Sequence, residues 1–433
     1  RQRQMCIRDR DICYSSTDYF EKRISDELIN AGMHVTHIKV PKASDMAYAI
    51  LKPYFDADYD AVIDINTRIP VIRYNNEYLL NYFNIPIWHY ILDHPLYHYE
   101  ALSATIHSFN IICLDMNHAA LIKESFPHIR SVHVMPLAAD NFQSLQQTSG
   151  SLSGSLDPYT YNASKVLSGY FKRPDNLIFT GTYTDPIKTS LLYSSRHSLD
   201  NHPLFTLLLE KPGLTQEAAV KELIEADILN TDMRPVEYLY NNFLVDVFLQ
   251  AVIREEIITQ IIKNHIDIII YGHGWDAFAD KCDILAPDIS KYLHIRPEVS
   301  YSSLPCIYAS SQISVNQMPW FKYGIHDRIP LSLMNGCLCL SDTSDYFTYV
   351  LKNKSAYGIH TYSLEALDSM PDILNQLLKR IEHKDENIIN ELRNGYNYAY
   401  SDFSWKHWTR KWISLLTAYG YNSVSYTHLT LPT

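Results

Sequence analysis

The chain lacks most of the features that would classify it at a glance. Its seven cysteines include no CxxC pair and lie mostly inside apolar runs. A disulfide framework or a cysteine zinc site is therefore not expected, and reduced core thiols in a cytoplasmic protein are. No GxGxxG follows the first expected strand, so the dinucleotide fingerprint of an NAD enzyme is missing. Basic charge is also short. The 37 Lys and Arg face 48 Asp and Glu, a formal net charge of −11, whereas a nucleic-acid partner usually needs a basic face. No apolar run reaches the roughly 20 residues of a membrane span.

What is present is ordinary folded-domain material, 46% hydrophobic and 20% charged, in a 433-residue chain long enough for two or three domains. The 33 tyrosines would suit carbohydrate stacking, although an AT-rich genome enriches them too. MCIRDR near the start and SYTHLTLPT at the finish resemble translated sequencing-adapter sequence, as met at the edges of metagenomic contigs. Residues 1–10 and 423–433 are accordingly set aside, and 1–9 and 425–433 are expected to pack against nothing.

Between those ends, strands alternate with helices. Strands are expected at 11–15, 35–40, 60–65, 86–92, 111–114 and 131–136, with helices at 19–31, 46–54, 77–83 and 118–125. That alternation implies βαβ units and one doubly wound parallel lobe over 11–140. A Ser-, Gln- and Gly-rich stretch marks a linker at 141–172. A second lobe follows over 173–400, interrupted by helix-period sequence at 186–263 that reads as a helical insertion. A last helix lies within 401–422.

Two places carry candidate chemistry. In the second lobe, the run 314–342 reads strand, loop, helix, strand. Its loop holds Lys322, His326, Asp327 and Arg328 just before a helix expected to start at Pro330. Cations at a helix N-terminus beyond a parallel sheet edge suit an anionic ligand, although an ordinary crossover with solvated charges has the same pattern. Gly181-Thr182 ends one strand of this lobe, and Gly272 and Gly274 bracket a turn after another. In the first lobe, a buried strand ends at Asp93-His94-Pro95, placing a carboxylate and an imidazole at the sheet edge as general-base candidates. His94 and His98 have the i, i+4 spacing of metal ligands, but no third ligand stands out, so no metal is expected.

The run Gly324–Arg328, followed by an apolar helix, Asn335-Gly336, an apolar strand and Ser341-Asp342, resembles the C-terminal domain of bacterial group 1 glycosyltransferases, in their spore-maturation-protein-like branch. The stretches IPIWHYILDHPLYHY, FNIICLDMNHAALIKESFP and HVMPLAAD resemble the N-terminal domain of the same branch. The resemblance implies an α/β fold of the GT-B type, with two doubly wound, Rossmann-like lobes facing a cleft. The insertion would sit in the second lobe, and the last helix would return to the first. It further implies transfer of a sugar from a nucleotide-sugar donor to a glycan, lipid or protein acceptor, without cofactor or metal. Donor contacts would come from Arg328, Lys322, Asp327, His326, Gly181, Thr182, Gly272, Gly274 and Asn316. Asp93 and His94 would face the acceptor as the catalytic candidates. Many relatives carry a ribose-holding glutamate five residues before the helix-ending glycine. Here that position is Leu331, and Asp327 is the nearest carboxylate. A nucleotide-sugar epimerase or hydrolase of the same fold, and a non-catalytic two-lobed solute-binding protein, are the competing expectations.

Overall fold

The computed structural model describes residues 4–9, 16–57, 59–142, 163–192, 199–318 and 320–418. Two six-stranded sheets, each wholly parallel, organise these residues. The first runs β2 (His34–Lys39), β1 (Gln4–Asp9), β3 (Ala61–Ile65), β6 (Ile87–Tyr90), β7 (Phe109–Cys113), β8 (Ser131–Val134). The second runs β11 (Leu293–Arg296), β10 (Ile268–Tyr271), β9 (Asp175–Thr180), β12 (Ser311–Val315), β13 (Leu338–Asp342), β14 (Ile359–Tyr362). Strands such as β3, β7, β12 and β13 are buried along their whole length, because helices cover both faces of a parallel sheet.

The opening of the chain departs from expectation. The strand looked for at 11–15 falls outside the described residues. Gln4–Asp9, expected to pack against nothing, instead forms β1 between β2 and β3, in register with both. A central parallel strand satisfies ladder donors and acceptors on two neighbours at once. The expected helix at 77–83 is also replaced. Asn75 and Asn76 both take positive φ (48° and 68°), the backbone a two-residue hairpin turn demands. They join β4 (Arg73–Tyr74) to β5 (Glu77–Tyr78), and a 3-10 turn over Leu79–Tyr82 follows.

Between β9 and β10 lies the helical insertion, ending in the long Phe243–Lys263 helix. It belongs to the second lobe in sequence but grips the first in space. Val236 is buried in the first lobe's core, Tyr240 donates to Glu100 at 2.7 Å, and Lys221 pairs with Glu124 at 2.8 Å. At the joint, the buried Asp246 carboxylate accepts from Tyr97 of the first lobe, from Gln216, from Gln250 at 2.6 Å, and from the Trp320 indole of the second lobe at 3.1 Å. A second joint forms where Gly324 runs against Asp115: a Cβ on Gly324 would stand 2.6 Å from the Leu114 carbonyl. The final Trp405–Ala418 helix lies on the first lobe, with Trp412 edge-on to Trp88 and Trp408 stacked near Tyr90. No described helix is long and apolar enough to cross a membrane.

Candidate active site

The second sheet reverses its strand order between β9 and β12. Chains leaving such a switch point diverge to opposite faces and open a crevice at the carboxyl ends of the strands. Gly181 and Thr182 leave β9 at this point, and Asn316 leaves β12. The crevice continues into a cleft of about 1100 Å³ between the lobes. Its second-lobe wall includes Thr180, Gly181, Thr182, Tyr271, Gly272, and the run from His326 to Arg328; Asp93 faces it from the first lobe.

The β9 and β10 ends approach so closely that Gly272 admits no side chain: a Cβ there would fall 2.0 Å from the Gly181 carbonyl oxygen. That carbonyl accepts from the Trp275 indole at 2.7 Å, and Gly181 N–H donates to Tyr271 at 3.0 Å. Gly274 (φ +86°) plays a structural part, packed beneath Tyr183, and does not line the cleft.

Arg328 projects along this floor. Its guanidinium donates to the Asn316 side-chain oxygen at 3.4 Å and lies 5.9 Å from the Phe179 ring centre. Asn316 is itself buried and holds Arg328 from below without reaching the cleft. A second guanidinium stands just behind this wall, outside the residues that line the cleft. Arg254, from the insertion's long helix, lies 6.0 Å from the same Phe179 ring, donates to the Thr182 carbonyl, and reaches Gln317 at 3.2 Å. Among the described residues neither guanidinium is ion-paired with a carboxylate. Burial, and after it the Arg328 charge, push Arg254 down to about 9. Two uncompensated cations side by side are costly unless an anion joins them. Arg23, also on the cleft wall, is by contrast already neutralised by Asp140, through bonds of 2.9 and 3.0 Å.

Two further expectations for the donor side, Lys322 and the helix N-terminus, are corrected. Lys322 does not reach the cleft. It is 6% exposed, and its ammonium donates to the Pro212 carbonyl at 2.7 Å, beneath the insertion. Burial lowers its pKa, opposed by the nearby Asp342 and Asp115 charges. The helix spans Arg328–Met334 instead of starting at Pro330, and its N-terminus offers no free backbone donor. Arg328 N–H faces the His326 ring at 3.3 Å, Ile329 N–H bonds to the His326 carbonyl, Pro330 has none, and Leu331 N–H bonds to Asp327. Leu331 is wholly buried in the core, so the position of the relatives' glutamate serves packing here. Asp327 does line the cleft, in contact with the His326 ring and accepting from the Tyr301 hydroxyl at 2.6 Å. Burial opposes its charge, but His326 and Arg328 prevail and hold it far below the ordinary carboxylate range.

On the first lobe, Asp93 and His94 part company. The Asp93 side chain is 40% exposed and lines the cleft. Asn66 anchors it, donating to its carboxylate at 2.9 Å while accepting from Leu92 N–H at 2.8 Å. Burial works against the Asp93 charge, yet His98 and Asn66 outweigh it and keep the carboxyl below its usual value. His94 is 2% exposed and turned away; its Nδ1 caps Leu96 N–H, and its Nε2 lies 3.7 Å from Glu217 of the insertion. Pro95 starts a 3-10 turn directly after it. The two side chains therefore leave the strand end in different directions. Among the described residues no three His, Cys, Asp or Glu side chains are grouped to hold a metal ion.

Arg254, Asn66 and Tyr301 were not singled out from sequence, and His98 was considered there only as a metal ligand. Arg254 sits mid-helix, 72 residues from the carbonyl it touches, with no local motif. Asn66 carried a faint signal, an asparagine directly after a buried strand, and it does adopt φ +53°.

No protein-family model matches the chain, and no curated protein matches it in sequence. Solved structures do match along nearly its whole length. A sucrose-phosphate synthase from Thermosynechococcus elongatus superposes with a TM-score of 0.56 at 7% identity, over 96% of this chain and 99% of that one. A glycosyltransferase from Rickettsia africae gives 0.53 at 9%, over 98% and 100%. Anabaena HepE, in complex with UDP, gives 0.52 at 8%, over 96% and 100%. The fold is GT-B. Its two GT-B lobes are the two parallel sheets above, and the cleft is the groove between them.

Proposed function

We propose that this protein is a glycosyltransferase that moves a sugar from a nucleotide-sugar donor to an acceptor hydroxyl. The observation that carries the reading is the guanidinium pair. Arg328 and Arg254 stand together at the switch point of the second lobe without a carboxylate partner. A diphosphate supplies the missing charge, and forked N–H groups match its oxygens. Arg328 would stabilise the diphosphate as it departs, with the Arg254 charge acting from behind the Thr182 carbonyl, in the manner of a transferase that needs no metal ion. The nucleoside would lie toward Tyr271, Gly272 and the 298–302 stretch, with Asp327 available to its ribose. Asp93, across the cleft and kept ionised, would take the acceptor's proton. HepE's complexes with UDP and UDP-glucose support testing uridine nucleotides first. Assignment to the spore-maturation-like branch rests on the motif resemblance alone.

Thermal-shift and calorimetric titration across nucleoside diphosphates tests the reading, since a ligand bound only by the folded state raises apparent stability. Binding should depend on the diphosphate and fail with the nucleoside alone. Asp93→Asn should keep that binding and lose turnover. Product analysis then separates transfer from epimerisation or hydrolysis. If no nucleoside diphosphate binds at millimolar concentration, the reading is wrong.

A further inference from the structure

Behind Asp93 the first lobe buries a file of titratable side chains. Asp64 of β3 and His89 of β6 are register partners on neighbouring strands, both wholly buried. Asp64 accepts from Thr67 and lies 2.6 Å from His89 Nδ1. The His89 ring stands edge-to-face on His98 at 5.5 Å. His98 is 7% exposed, and its Nε2 lies 3.9 Å from the Asp93 carboxylate. Among the described residues, the Nε2 atoms of both His89 and His98 have no hydrogen-bond partner. A core built for packing alone would not place two imidazoles here, because buried polar atoms left unmatched cost stability. The file has one exposed end, Asp93, and that end is in the cleft.

We propose that His98 is the positioning residue for Asp93. This rests on the reading of Asp93 as the proton acceptor. His98 presents Nε2–H to the carboxylate, holds it ionised, and aims it across the cleft. His89, fixed by Asp64 through Nδ1, is the wall that sets the His98 ring. The groups facing His98 are Asp93, His89 and Asp64, with His118 nearby on the Met116–Ser125 helix. Those facing Asp93 are His98, Asn66 and, from the second lobe, His326. Burial holds His98 toward its neutral form, so it acts at neutral pH as an oriented donor.

The test uses the full chain labelled with ¹⁵N-histidine, so that imidazole signals report tautomer and titration. Neutral His98 should carry its proton on Nε2, and Asp93→Asn should lower its pKa by about one unit. The activity arm measures UDP release from UDP-glucose. With His98→Ala the acid limb of turnover should move up by about one pH unit, because Asp93 loses the partner that keeps it ionised. The donor KM should stay unchanged, and His98→Gln, whose amide can still donate, should restore part of the shift. His94→Ala should leave the limb in place. A His98 signal indifferent to Asp93→Asn, or protonated on Nδ1, overturns the proposal; so does an unmoved limb in His98→Ala. If Asp93→Asn leaves turnover intact, the catalytic reading of Asp93 fails instead, and the NMR arm still decides the coupling. Should His98→Ala not fold, Asp93→Asn alone carries the test, since it leaves His98 in place.

Discussion

Arg328→Ala offers a result that a merely structural arginine could not produce. In the free protein Arg328 makes one long bond to Asn316 and stands beside Arg254 with no carboxylate between them. Its removal relieves the repulsion from Arg254 and gives up part of the attraction that keeps Asp327 ionised, so the net cost to the fold is small. With a diphosphate bound, the same side chain makes a charge-assisted bond worth about 2 kcal/mol, or roughly 30-fold in Kd. Arg328→Lys keeps the charge but not the fork and should lose about 1 kcal/mol. Arg254→Ala acts from behind the Thr182 carbonyl and should cost about fivefold. The assay pairs calorimetric titration of UDP with thermal unfolding of the free variant. The unliganded melting temperature should stay within about 1–2 °C of the parent, while the ligand-induced rise largely disappears. An Arg328→Ala protein that binds UDP as tightly as the parent refutes the argument. So does one that melts several degrees lower without ligand, because the arginine would then be a structural member.

Further outcomes follow from the rest of the fold. Deleting residues 1–9 removes a strand flanked on both sides, and circular dichroism should show loss of cooperative unfolding; an unchanged melt would mean that β1 is dispensable. Asp246→Ala strips the acceptor from four donors at the lobe joint and should cost about 3 kcal/mol by urea unfolding. Asp115 is raised from 3.8 to about 6, mainly by burial, against the three backbone N–H groups that favour its charge. The folded state therefore binds more protons between those values. This group's contribution is present below pH 4 and is lost as pH climbs through 6, a change of about 3 kcal/mol. Asp115→Asn, which keeps the helix cap, should flatten the stability profile over that window. EDTA should leave UDP affinity unchanged, since the phosphate position is already served by guanidinium groups.

The fold was legible because its signal is periodic. Runs such as Ala61–Ile65 and Leu338–Asp342 are buried on both faces, and the switch to helix spacing between them shows in the sequence. Local turn chemistry was less legible; Asn75-Asn76 turned an expected helix into a hairpin. The site divided along the same line. Asp93, Arg328, Asp327, His326, Gly181, Thr182 and Gly272 stand at strand ends or helix starts, and the topology delivers them to the cleft. Lys322 had the right position in the chain but the wrong direction, because the insertion's Pro212 carbonyl captures it. His94 was likewise taken by the insertion, through Glu217. Arg254 could not be anticipated, since its meeting with Phe179 and Thr182 is settled by how a long helix lies over the sheet.

The joint at Asp246 bears on how substrate gets in. A two-lobed protein that works like a book needs a free spine, and this one is riveted along it. Tyr97, Gln216, Gln250 and Trp320 converge on one carboxylate, reinforced by Val236 in the opposite lobe's core and by the Asp115–Gly324 contact. None of the residues bonded to Asp246 lines the cleft. At the fore-edge the lobes meet through rings, with Tyr19 and Phe20 each 4.7 Å from Tyr301. The stiff part of the molecule is thus the hinge that swinging lobes would have to bend. Rotation of whole lobes would break these bonds, whereas rotamer and loop motion at a cleft rim, on nanosecond to microsecond scales, leaves them intact. Entry to this cleft is a door cut in a fixed wall.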